Sequence, residues 1–265
     1  MPNAPARARP VPGNKHNIRL EHLGDGVSEL TIDRYSRRNA LSSRVLEEIL
    51  GALDETESAG NRIVILRGAS RFFSAGADVS ELTGLIEDQE HDAQVATMVA
   101  ALTESRLVSI AAIEGGCIGA GLELATACDL RIADSTAFFA FPALEMGLVY
   151  RPDAFARMVR LVGPAAATRM VMLGERLTLD EAYRCGLVTA TTKPGEVCAA
   201  AHGLAHRLSQ APTDVLWGTA RILSSALAGA DKPDVWMDEH LKSFASLSRY
   251  QSVTAKKNAL RKRRP

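Results

Sequence analysis

Three continuous apolar runs do most to restrict what this chain can fold into: Arg62–Arg67 (RIVILR), Leu107–Glu114 (LVSIAAIE) and Leu130–Ala133. Runs of this kind read as strands with both faces apolar, which belong inside a covered sheet. Stretches of helical character separate them, at about Asp78–Ile86, His91–Arg106 and Gly119–Ala127. Strands alternating with helices place the chain in the α/β class with a mainly parallel sheet. Upstream, Ile18–Glu21 and Val27–Asp33 alternate around Gly24-Asp25-Gly26, a hairpin signal. From Ser43 to about Ser58, Val45, Leu46, Ile49, Leu50 and Leu53 recur at helical spacing.

Beyond Pro152 the pattern becomes helical. Pro164 is expected to open one helix, and Gly174 follows its apolar run. Thr178-Leu-Asp-Glu181 is a capping-box signature for a short helix that Gly186 closes. Three further helices are expected near 195–210, 212–229 and 233–248, followed by a basic segment ending KKNALRKRRP. The expected organisation is a disordered tail over 1–15, a sheet-and-helix core over 16–195 and a helical part over 196–265.

Charge and cysteine content exclude several classes of function. Lys+Arg and Asp+Glu each number 31, so no net field recruits nucleic acid or an anionic membrane. No apolar run reaches the roughly 18 residues of a membrane span. The opening MPNAPARARPVPGNK lacks the apolar core of a secretory signal. Cys117, Cys128, Cys185 and Cys198 form no CxxC pair and no metal-ligand spacing, as expected for reduced thiols in a cytoplasmic protein without a metal.

The chemistry concentrates in two glycine-containing turns, each directly after an apolar strand. The first is Arg71-Phe-Phe-Ser-Ala-Gly-Ala77-Asp78, where small residues let a ligand approach the backbone and Asp78 can cap the helix expected after it. The second is Gly115-Gly-Cys-Ile-Gly119-Ala120-Gly121, which opens a helix with Glu123 about one turn in. Its glycines fall at the wrong intervals for a dinucleotide fingerprint, and the lysine of a phosphate loop is missing. Amides at such positions lack partners and favour negative charge. Together, the Ala77 and Ala120 amides point to an oxyanion hole, with donors from two turns aimed at one oxygen.

These motifs occur in a particular order: Arg38-Asn-Ala-Leu-Ser42, FFSAGADVSEL, GGCIGAGLELATACDLRIA, Phe141-Pro142, Gly147-Leu148 and GERLTLDEAYRCGLV. In this the chain resembles the crotonase (enoyl-CoA hydratase/isomerase) family over about residues 16–190, and more loosely beyond. The resemblance implies a spiral of ββα units with C-terminal helices that build trimers or dimers of trimers. It implies an acyl-CoA substrate, with coenzyme A entering as part of that substrate and no separate cofactor. Ala77 and Ala120 match the oxyanion amides, and Glu123 matches the first of two glutamates that activate water. Asn39, Ala40 and Leu41 match the loop that touches coenzyme A, alongside Asp78 and Gly119, and Ala75 matches the residue whose carbonyl meets the adenine.

The departures matter as much. Ala143 stands where the family's second glutamate follows a proline, and Glu145 is displaced by two residues. If that segment is extended, Glu145 lies about 7 Å further along the same face. The usual glycine-rich loop reads Tyr150-Arg151-Pro152-Asp153, and the C-terminal family positions read Gln251, Ser252 and Lys256. Glu145, Tyr150 and Asp153 are therefore the candidates for a replacement proton donor. Hydration of a 2-enoyl-CoA is the expected activity. The alternatives are double-bond isomerisation, decarboxylation or thioester hydrolysis through the same oxyanion, or acyl-CoA binding without turnover.

Other residues read more plainly. His202 and His206 share a helix face, but no third ligand accompanies them. Ser74 and Ser80 lack the partners of a hydrolase triad. Trp217 and Trp236 fall on apolar helical faces, Asp129 ends a helix, Glu114 flanks the second turn, and nothing beside Cys117 would activate its thiol.

Overall fold

The structure, a computed structural model, describes residues 17–229, 237, 240–244 and 246–262. The tail expected over 1–15 lies outside the described residues, as do Trp236 and residues 233–235, 238, 239 and 245 of the helix expected over 233–248.

The chain opens with the hairpin of β1 (Ile18–Gly24) and β2 (Val27–Ile32), and α1 (Ser43–Ser58) comes next, with Ser42 capping the Val45 amide. β3 (Ile63–Gly68), β4 (Val108–Ile113), β6 (Leu130–Asp134) and β9 (Ala190–Thr192) then join β2 in parallel, giving a six-stranded sheet in the order β1-β2-β3-β4-β6-β9. Every residue of β2 and β4 is buried, as their covered position requires. One face, with Leu30, Ile32, Leu66 and Ile113, packs against α1, α2 (Gln89–Glu104) and α3 (Ala120–Ala127). The other, with Val27, Ile63, Ile65, Val108 and Ile110, is covered by Val197, Ala201 and Ala205 of α6 (Val197–Ser209).

A smaller second layer positions the site. β5 (Gly116–Ile118) leaves the large sheet two residues after β4 and pairs with β7 (Phe138–Ala140), which pairs in turn with β8 (Leu177–Thr178). Ser74 bridges Cys117, and Leu41 bridges Ala77, in the same parallel sense. Short segments that leave the large sheet thus build the second layer beside it. Mixed α/β architecture with a parallel sheet agrees with the sequence expectation.

Later helices are α4 (Pro152–Met172), α5 (Leu179–Arg184) and α7 (Thr213–Ala228), with a last helix over Leu247–Lys262. The capping box forms as expected: Thr178 Oγ1 accepts from Glu181 N, and Glu181 Oε2 accepts from Thr178 N. α4 runs up to a break at Gly163, and Pro164 starts its second stretch. Asp129 does more than end α3. Its carboxylate accepts from Ser109 N and Oγ on β4 at 2.8 and 2.9 Å, and pairs with Arg221 of α7 at 3.1 Å.

Two local expectations are overturned. Asp78–Ile86 is not a continuous helix but two short 3-10 turns, Val79–Glu81 and Ile86–Asp88. Asp88 accepts from Thr83 N, Thr83 Oγ1 and Gly84 N, which lie between those turns, an arrangement that offers the backbone an alternative to helix. The segment after Pro142 is not extended. Met146 N donates to Pro142 O, Gly147 N to Leu144 O and Leu148 N to Ala143 O, curling residues 143–147 into a turn.

Candidate active site

The two glycine turns meet. A Cβ added to Gly76 would stand 2.8 Å from Ile118 O and 3.4 Å from Ala120 N; one added to Gly121 would stand 2.6 Å from Ser74 Cβ. Only glycine admits that approach, and Gly76 also takes φ +90°, which side chains disfavour. Ser74 fixes the first turn from within: its Oγ donates to Asn39 O at 2.8 Å and accepts from Gly76 N at 3.2 Å. That is a structural role. Gly119 caps α3 at φ 52°, ψ −122° and donates to Ala140 O, leaving Ala120 as the first helical amide.

Leu41 N donates to Gly76 O and Asp78 N donates to Leu41 O. The amide between them, Ala77 N–H, meets no acceptor among the described residues, and neither does Ala120 N–H. Ala120 N–H opens α3, and an amide at a helix start without an acceptor is ready to receive an anion.

Glu123 lies in the first turn of α3, 2% exposed. Its Oε2 accepts from Arg151 Nη2 at 2.6 Å, and no donor among the described residues meets Oε1. Burial pushes this carboxyl up to about 7; Arg151 and, less strongly, Arg157 pull it down, while the Asp92 charge adds to the rise. A carboxyl at that level can take a proton and give it back near neutrality.

Of the three candidate replacement donors, the structure brings Tyr150 near Glu123. The Tyr150 hydroxyl stands 3.1 Å from where a Gly119 Cβ would be, and its ring packs on Phe141 at 4.2 Å between centroids. Burial, with the Glu123 charge next, raises this phenol to about 12, so it stays protonated. Asp153 is exposed and lies 3.3 Å from Arg151 Nε, off the N–H axis, so it contributes charge to Arg151 and Arg157 without a directed hydrogen bond. Glu145 is not there. It is exposed on the 143–147 turn, with Oε1 3.4 Å from where a Gly174 Cβ would be, because the turn carries it away from the line an extended chain would take. Ala143 is buried.

The side chains of the Asn39-Ala40-Leu41 loop face inward. Asn39 is fully buried at φ 55°; its amide donates to Ala69 O and Phe72 O and accepts from Arg34 N. Asp78 accepts from Ser80 and pairs with Arg34 at 2.9 Å, while Arg34 also holds the Ala40 carbonyl. Both fix the loop through contacts within the protein. Ala75 N donates to Arg38 O, and its carbonyl receives no main-chain donor among the described residues.

This chain belongs to the enoyl-CoA hydratase/isomerase family. The family's model matches residues 22–253. A Bacillus subtilis protein named "Probable enoyl-CoA hydratase" is 39% identical over 194 residues, covering 71% of this chain and 74% of its own. The short-chain-enoyl-CoA hydratase of Clostridium acetobutylicum is 34% identical over 205 residues, with 76% and 78% covered. The crystal structure of an enoyl-CoA hydratase/isomerase from Xanthobacter autotrophicus superposes with a TM-score of 0.75 at 29% identity, covering 85% of each chain. The fold is accordingly that of the crotonases.

Other features of this family member lie outside the two turns. A cavity of about 600 Å³ opens between α4 and α7, lined by Leu161, Leu216, Leu223, Asp129, Asp153 and Arg157; Ala77, Ala120 and Glu123 are not on its wall. His202 pairs with Glu29 at 2.6 Å and His206 with Asp25 at 3.3 Å. Trp217 donates to Ser105 O, and burial pushes the Cys117 thiol well up. Glu114 is half-buried at the start of the second turn. No described helix is long and apolar enough to cross a membrane.

Arg151 is the site residue that the sequence motifs do not reveal. It replaces part of a glycine-rich loop, and its partner Glu123 is 28 positions away.

Proposed function

We propose that this protein adds water reversibly to a 2-enoyl-CoA thioester, through an enolate held by the Ala77 and Ala120 amides. The observation that carries this reading is the pair of amides that meet no acceptor among the described residues, on two touching turns, with a buried carboxyl one helical turn beyond. The thioester oxygen accepts both N–H groups. Glu123, as carboxylate, takes a proton from water through Oε1 while the water oxygen bonds to the β-carbon. The double-bond electrons move onto the thioester oxygen, and Glu123 then returns the proton to the α-carbon. Each amide is worth about 10²–10³ in rate, and the acid–base group about 10²–10⁴. The Tyr150 hydroxyl beside Gly119 is placed to donate a hydrogen bond to the water or the acyl group.

Coenzyme A enters as part of the substrate, along the Asn39-Ala40-Leu41 backbone, with its adenine amino group donating to the Ala75 carbonyl and Lys256 meeting a phosphate. The working form is a homotrimer or dimer of trimers in the cytoplasm. A second reading draws on buried, apolar Ala143: one carboxylate suits double-bond isomerisation, decarboxylation or hydrolysis through the same oxyanion, or binding alone.

Hydration of crotonyl-CoA, monitored by loss of enoyl absorbance, separates these readings. Turnover that falls about 10²–10⁴-fold in Glu123→Gln supports hydration. Tight acyl-CoA binding with no hydrated product across a panel of chain lengths contradicts it.

A further inference from the structure

Arg151 joins three elements around the carboxyl of α3. Nη2 stands 2.6 Å from Glu123 Oε2; Nη1 stands 2.7 Å from Asp92 Oδ1 and 3.1 Å from Asp92 O on α2; Asp153, in the first turn of α4, lies 3.3 Å from Nε. Its main chain is equally fixed. At the N-cap of α4, Arg151 takes φ −57°, ψ 142°, the extended conformation that the adjoining Pro152 imposes. The side chain is 16% exposed. A planar guanidinium held at both ends presents one hydrogen-bond direction to Glu123, which a flexible ammonium does not.

We propose, on the reading of Glu123 as the acid–base group, that Arg151 is a positioning residue: it holds Glu123 by Oε2, so that Oε1 alone exchanges protons with water and substrate. A site with two carboxylates can divide holding water and moving the proton between them. Here Ala143 supplies no second carboxylate to share that work, and a Glu123 carboxyl free to rotate would present either oxygen in many directions. Fixing one oxygen restores a defined approach for the other. The charges around Glu123 fit this role. Asp92 faces it from α2, Arg157 from α4, Tyr150 from the preceding loop, and Asp153 acts through Arg151. The two arginines favour the carboxylate, whereas burial and Asp92 favour the acid. The guanidinium also spans two carboxylates, so it orders the pocket without leaving a lone positive charge there.

Arg151→Met and Arg151→Lys test the assignment by two independent readouts. The first is the titration of the Glu123 carboxyl in ligand-free protein, measured by carbon-13 NMR and assigned by difference from Glu123→Gln. In Arg151→Met its midpoint rises by at least about one pH unit, the usual influence of an adjacent arginine. The acidic limb of kcat/KM for crotonyl-CoA rises with it. Arg151→Lys keeps a charge but loses the fork, so kcat falls while KM and the limb stay near those of the parent. If Arg151→Met leaves the midpoint and the limb in place and lowers activity by one factor at every pH, the residue only supports the fold and the assignment is overturned. Should methionine prevent folding, an Arg151→Lys protein with parental kcat overturns it too. The titration requires no turnover: a raised midpoint in a protein that hydrates no enoyl-CoA keeps the clamp and refutes the hydratase reading.

Discussion

Glu29 and Glu123 are both buried glutamates paired with an arginine, yet their carboxyls are driven in opposite directions. Burial works to raise Glu29, but His202, Arg67 and their charges outweigh it and hold the carboxyl below its ordinary value. Its Oε1 accepts from Arg67 Nη1 at 3.0 Å and from Thr31 Oγ1 at 3.3 Å, and its Oε2 meets His202 Nε2 at 2.6 Å. Glu123 has one donor on one oxygen, and that donor is shared with Asp92. Burial therefore prevails, and the carboxyl rises to about 7. The number of donors reaching both oxygens, rather than depth alone, separates a carboxylate fastened between β2, β3 and α6 from one free to move a proton.

The sharpest way to break this contrast is to neutralise each glutamate in turn. Glu123→Gln lowers hydration about 10²–10⁴-fold, whereas Glu29→Gln leaves the rate of the folded molecules unchanged. Steady-state assays on soluble protein check both, and equal losses would erase the distinction. Stability gives the converse. Glu29→Ala strands Arg67 and His202 and costs about 1–3 kcal/mol in urea unfolding, while Glu123→Gln at pH 8 is neutral or stabilising because it removes an ionised buried group.

A further contrast is in how stability depends on pH. For Glu123 the folded carboxyl binds its proton more tightly than the unfolded one. Its contribution is therefore complete below the ordinary value of 4.5 and is lost as pH rises through about 7. For Glu29 the sign reverses: the contribution is present above 4.5 and lost as pH falls through the lower folded value. For Glu123 the loss between those limits should be on the order of 3 kcal/mol. Thermal unfolding across pH 4–8 should lose its decline toward pH 7 in Glu123→Gln and its acid limb in Glu29→Gln.

The same division between local and distant causes decides which features are legible in the sequence. RIVILR, LVSIAAIE and the Ser43 helix declare themselves because side-chain period and burial are properties of neighbouring residues. The capping box and each glycine turn by itself are likewise short-range patterns, whereas the meeting of the two turns is not. The stretch after Asp78 misleads because Asp88 bonds back to Thr83 and Gly84, replacing a helix with two brief turns. Glu145 misleads for a related reason: bonds from Met146, Gly147 and Leu148 curl a segment expected to be extended. Asn39 shows no outward sign that its amide is spent on Ala69 and Phe72. Arg151 shows none that it meets Glu123 and Asp92, since those contacts exist only once α2, α3 and α4 have converged.

The central claim is that the Ala77 and Ala120 amides share one acceptor beside Glu123. A crystal structure with acetoacetyl-CoA tests it most directly. The thioester oxygen is predicted to lie about 2.7–3.1 Å from both nitrogens, with the acyl group facing Glu123 Oε1. A thioester oxygen bound elsewhere, or reached by only one of the two amides, would contradict it.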